Sequence, residues 1–80
     1  MPLSDLGTMY DKLVDSAKAN DDVVALKKAA VSYCSSVAKK STLLSQAVKE
    51  VFGNSYTTEI DKLTSGDIET KMAELKAKVD

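Results

Sequence analysis

Histidine is absent from this chain of 80 residues, and with it the side chain most often used as a general base near neutral pH. A nucleophile here would need lysine or a carboxylate as its base. Arginine is absent too, so every cation is a lysine. Arginine supplies the bidentate contacts that phosphates and guanine edges favour, and its absence counts against nucleic-acid recognition. Cys34 is the only cysteine. That excludes a disulfide within the chain and, with no histidine, a zinc cluster. The single proline stands at position 2, and the three glycines at 7, 53 and 66. Nearly the whole chain is therefore free of helix breakers. Apolar runs are a few residues long, Ala29-Ala30-Val31 for example, and none can span a membrane. The start, Met1-Pro2-Leu3-Ser4-Asp5, has neither the basic region nor the apolar core of a signal peptide, and proline at position 2 does not fit N-myristoylation. A lone thiol without a secretion signal fits a reducing interior, so a cytoplasmic protein is expected.

Eleven lysines against twelve acids leave a net charge of −1. Neither a basic nor an acidic tail stands out. A chain this short forms one domain at most, expected over residues 1–80. It buries only about 60% of its unfolded surface. Without disulfides or metal, its remaining stabilisers are helix packing and oligomerisation, so a homo-oligomer is expected.

What the sequence does contain is helical periodicity. Leu3, Leu6, Tyr10, Leu13 and Ala17 step by 3 and 4 along one face. Ser4 or Asp5 can cap this helix, and Asn20 can end it. Val23, Leu26, Ala30, Tyr33 and Val37 repeat the pattern, with Val24, Val31, Cys34 and Ala38 widening the stripe. Asn20, Asp21 and Asp22 supply caps and favourable negative charge at its start. The phase continues through Ser41, Leu44, Val48 and Val51. The unbroken phase favours one long helix over 21–52, about 48 Å at 1.5 Å per residue. The rival reading breaks it at Lys39-Lys40-Ser41-Thr42, with Ser41 capping a third helix. Gly53-Asn54-Ser55 is the strongest stop signal. Thr57 or Thr58 can cap a short helix with Ile60 and Leu63. Thr64-Ser65-Gly66-Asp67 marks another turn or cap. The last segment carries Ile68, Met72, Leu75 and Val79, a narrow seam of coiled-coil type.

Candidate chemistry is sparse. Asp11 and Asp15, at i and i+4, put two carboxylates on one face, where Lys12 and Lys18 make a solvated surface the stronger reading. Asp21 and Asp22 read as capping residues. Cys34 lies inside an apolar stripe and reads as a small core hydrophobe. Lys28, Ser32, Ser35 and Lys39 fall at i, i+4, i+7 and i+11, so they line one helix stripe. That stripe is the candidate anion-binding face, for phosphates, an anionic lipid surface or an acidic partner; a solvated face is the plainer alternative. The candidate partner-binding residues are Met72, Leu75 and Val79 on the narrow terminal stripe, with Tyr56 beside the turn. Intramolecular packing is the competing assignment for all four.

The segment 44–66 superficially resembles a helix-turn-helix unit, through Leu44-Ser45-Gln46, Val48, Phe52-Gly53, Ser55, Ile60 and Leu63. It departs from that motif at Lys49, which would fall between the two helices. Glu59 and Asp61 also stand where basic or amide groups are wanted.

The expected fold is all-α: a three- or four-helix bundle over about 5–19, 21–52 (as one long central helix or split near 40), 57–64 and 67–79, which self-association could complete. The expected function is a non-enzymatic protein–protein interaction module, a small regulator, inhibitor or assembly adaptor that acts by docking. The alternatives are a self-assembling structural subunit and, as a minor one, a nucleic-acid binder. No cofactor, metal or membrane association is expected.

Overall fold

A computed structural model describes residues 2–79; Met1 and Asp80 lie outside the described residues. These form five α-helices and no strand: α1 (Leu3–Ala19), α2 (Val23–Ala38), α3 (Thr42–Phe52), α4 (Tyr56–Lys62) and α5 (Ser65–Val79). The all-α bundle read from periodicity is the fold observed. Its thinnest dimension is 17 Å, about two helix diameters of 10 Å.

The start of α1 comes earlier than expected and uses no side-chain cap. The Pro2 carbonyl accepts the amides of Asp5 (3.1 Å) and Leu6 (3.2 Å). Proline suits this place because it lacks the N–H that a helix start leaves orphaned. The other end of α1 is tied off tightly. Asp22 N–H donates to the Ala17 carbonyl at 2.8 Å and Asp21 N–H to that of Lys18 at 3.1 Å. Asp21 itself takes a left-handed conformation at φ 51°. Together these make a Schellman turn, with aspartate where glycine is usual. The Asp22 carboxylate then accepts Ala25 N–H at 3.0 Å and starts α2. The Asn20-Asp21-Asp22 punctuation thus acts as its residue types suggest.

The long central helix does not form. After α2 the Lys40 amide bonds back to Val37, and Ser41 turns to extended backbone. Its hydroxyl accepts Leu44 N–H at 3.1 Å and starts α3. The capping reading of Ser41 therefore overrides the unbroken phase. Continuity of phase was uninformative here because Leu44, Val48 and Val51 need only face inward, which α3 achieves at its own angle. A second subunit is therefore not needed to cover a long central helix, while the small size of the chain remains as the ground for self-association. Instead α2 packs against all four other helices, and α3 packs against α4 and α5.

The α3–α4 turn rests on Gly53, at φ 82° and ψ −163°, a region open essentially to glycine alone. Helix α4 begins at Tyr56, one residue before the expected caps, and ends at Lys62. Thr64 accepts Asp67 N–H through its hydroxyl at 3.2 Å, so α5 starts at Ser65 and takes Gly66 into its first turn.

Tyr10, Val14 and Ala17 from α1 enter the core against Leu26, Ala30 and Tyr33 of α2. Tyr10 and Tyr33 meet with ring centroids 5.2 Å apart, tilted by 47°, a favourable aromatic arrangement. Val48, Phe52, Ile60, Ile68, Met72 and Leu75 complete the core from the other side of α2. Among the described residues no buried side-chain N or O lacks a hydrogen-bond partner.

Candidate functional site

Several lysines serve the fold. Lys27 donates to the Asp61 carbonyl at 2.7 Å, closing the C-terminal end of α4, and Lys71 donates to Val51 at the end of α3. Cations suit such ends, where carbonyls lie unpaired. Lys18 pairs with Glu69, Lys76 with Asp11 at 2.8 Å and Lys78 with Glu50 at 3.1 Å. The Lys76 ammonium also lies 5.7 Å from the centre of the Tyr10 ring. The hydrogen bond to Glu69 holds the Lys18 ammonium above its usual pKa range, followed by that carboxylate's charge.

These pairings account for the acidic candidates. Asp11 is held by Lys76, and Asp15 lies in the same α1–α5 cleft as Lys18. Three carboxylates and two ammonium groups line the cleft, and Asp11 and Glu69 are each paired with a lysine, so no carboxylate pair is set apart for proton transfer. Among the described residues no three His, Cys, Asp or Glu side chains gather where a metal ion could sit.

The candidate stripe on α2 has a different setting. Lys28, Ser32, Ser35 and Lys39 all line one open groove between α2 and α4, of about 870 Å³. From α4 the groove receives Thr57, Thr58, Ile60 and Asp61. Val24 and Val31 give it apolar surface on the α2 side. Val24, expected in the core, is 62% exposed, because α4 is too short to cover the first turn of α2. Lys28 and Lys39 make no hydrogen bond or ion pair among the described residues. Three ammonium groups face a single carboxylate across this groove, in a chain of net charge −1.

Ser32 is shared by a second groove, between α1 and α2, which Leu13, Ala25, Ala29 and Lys28 also line. Farther along the same face lie Leu6, Met9 and Ser36. Met9 is 47% exposed and Leu13 48%. Leu13 was expected inside, but the buried line of α1 runs through Tyr10, Val14 and Ala17 instead. The outer face of α2 is thus a polar ridge of lysine and serine between two grooves with apolar walls.

The partner-binding candidates on α5, and Tyr56 at the start of α4, are placed otherwise. Met72 is 1% exposed and Leu75 0%; they fill the core between α5 and its neighbours. Val79 and Tyr56 are half-buried and pack against that core. The narrow seam is narrow because one packed face suffices for α5, so these four residues offer no free docking stripe in the folded chain. Lys49 is exposed and the seven-residue α4 exposes Glu59 and Asp61. That is a poor recognition helix for a phosphate backbone.

No family model matches this chain, and no curated protein and no solved structure matches it either. The geometry alone carries the functional argument. Cys34 is buried on α2, and burial pushes its thiol up to about 12, so the thiolate that nucleophilic chemistry needs does not form near neutral pH. Burial likewise raises Tyr10, with Glu69 adding to the effect. Among the described residues no helix is long and apolar enough to cross a membrane.

The α2 stripe was legible from spacing, since its four members share one helix. Its opposite wall was not. Thr57, Thr58 and Ile60 reach it only because α4 folds back on α2, and no local signal announces that packing. Val24 and Val31, seven residues apart on one face, carry the signal that could have marked the groove's apolar wall.

Proposed function

We propose that this protein is a non-enzymatic interaction module that docks a partner on the outer face of α2. The observation behind the reading is the ridge of Lys28, Ser32 and Lys39, flanked by apolar-walled grooves that the bundle leaves open. Here two exposed lysines without a hydrogen bond or ion pair share one groove with Lys27, against a single carboxylate. The chemistry of the chain supports a binder over a catalyst: it has no histidine, and its one thiol is buried and protonated.

A photo-crosslinking residue at Ser32, compared with one at exposed Glu74 on α5, tests this in the cell the protein comes from. A discrete adduct from position 32, absent from position 74, supports docking on α2. Equal adducts from both positions, or none, would end the reading. An adduct of twice the chain's own mass, with a molar mass that rises with concentration in light scattering, would replace it with self-assembly.

A further inference from the structure

We infer that the α2–α4 groove receives an acidic amphipathic α-helix of a partner protein, its apolar stripe over Val24 and Val31 and its carboxylates on Lys28 and Lys39. The inference rests on the docking reading and names the kind of partner. Charge complementarity carries it. The groove presents Lys27, Lys28 and Lys39 against Asp61 alone, and Lys28 and Lys39 are exposed cations that pair with nothing else described. Lys39, the residue that caps the C-terminal end of α2, stands eleven positions after Lys28, about 16 Å or three helical turns. The apolar surface of Val24 and Val31 runs along the same groove, with Ile60 fully buried beneath it.

The known modes of peptide recognition narrow the shape of the occupant. Strand addition needs a free sheet edge, and the described residues contain no strand. Polyproline grooves are lined by aromatic rings, and none lines this one. Phosphopeptide sites use arginine clusters, and the chain has no arginine. A helix laid into a helix-walled groove remains, with apolar anchors at i, i+3 or i+4 and i+7. Acidic groups about three turns apart would meet the two lysines.

The test is selection from a displayed library of four-turn helical peptides against the intact protein, with amide chemical-shift mapping of the winners. Enriched peptides should carry Asp or Glu flanking an apolar stripe and should shift α2 and α4 groove residues. The K28E/K39E double variant, checked for native helicity, should bind them about tenfold more weakly. Peptides with lysine in place of the acids should regain binding to that variant. Binding should also weaken with salt, since the lysines are exposed. Enrichment of basic or uncharged peptides, or shifts on the α1–α2 side, would overturn the acidic-helix assignment and leave docking on α2 standing. No enriched peptide at all would overturn the acidic-helix proposal. If the protein then bound phosphatidylserine-containing vesicles or a single-stranded oligonucleotide, the docking reading would fall with it.

Discussion

The Cys34 thiol on α2 lies 4.0 Å from the Met72 thioether on α5, and both are buried. Two soft, polarisable sulfur groups meet at the centre of the bundle, where irregular gaps are best filled by such side chains. The contact joins residues 38 apart in the chain. Their shared burial explains at once why Cys34 is inert and why Met72 is unavailable to a partner.

Alkaline pH should destabilise the fold through this thiol. Its folded-state pKa, about 12, stands above the ordinary value near 9. Between these values the unfolded chain releases a proton that the folded chain keeps. Stability is therefore fully present below about pH 9 and falls as pH rises toward 12, by about 1.4 kcal/mol per pH unit for one group. Tyr10, raised in the same direction, adds to the loss from its ordinary value near pH 10 upward. Urea titrations at stepped pH should show the fall. A Cys34→Ala variant should show a shallower one, and thiol reagents should label the native protein only as fast as it opens.

Substitution of glycine should act in opposite directions at two positions. Gly53→Ala meets no steric obstacle, yet its backbone lies in a glycine-only region, so a loss of about 1–3 kcal/mol is expected. Gly7 lies inside α1, where an added Cβ meets only Lys76 Cε at an ordinary 3.8 Å. Gly7→Ala should gain about 1 kcal/mol from helix propensity. Thermal unfolding of the pair should therefore separate in sign, each kcal/mol moving Tm by about 4–8 °C.

Ser41→Ala removes the hydroxyl that starts α3 and should cost about 1 kcal/mol. Ser41→Asp should retain most of the stability, because a carboxylate serves the same amide. Were the break at this point not dependent on capping, both variants would melt alike.

Two leucines separate core from surface. Leu75→Ala should cost about 2–5 kcal/mol, since its side chain is fully buried. Leu43 is 77% exposed, and Leu43→Ala should fall within about 0.5 kcal/mol of the parent. Chemical denaturation of both variants reads the difference directly.

Most of the buried stripe of α2 was legible because Leu26, Ala30, Tyr33 and Val37 follow helical spacing and are in the core, while Val23, the first of the series, is 42% exposed. On α1 the same reasoning placed Leu13 inside and passed over Val14. One helix's periodicity gives the direction of an apolar face but not its width or centre, which the neighbouring helix decides. The break at Ser41 shows a second limit. A spacing of 3 and 4 residues fits two short helices as well as one long one, and only the serine hydroxyl tells them apart. For the groove, spacing placed the lysine wall on α2, while the α4 wall depends on contacts distant in the chain.

The Schellman turn at Asp21 also bears on how the chain finds its fold. It joins α1 and α2 with so short a connection that their ends begin close together, and closing such a loop sacrifices little chain entropy. The Tyr10–Tyr33 contact can then form within a helical hairpin, before α3, α4 and α5 arrive. Topologies rich in such near-neighbour contacts cross their folding barrier in about microseconds to milliseconds. In the folded chain the later helices close over Cys34, while Lys28, Ser32 and Lys39 on the outer ridge of α2 stay in water.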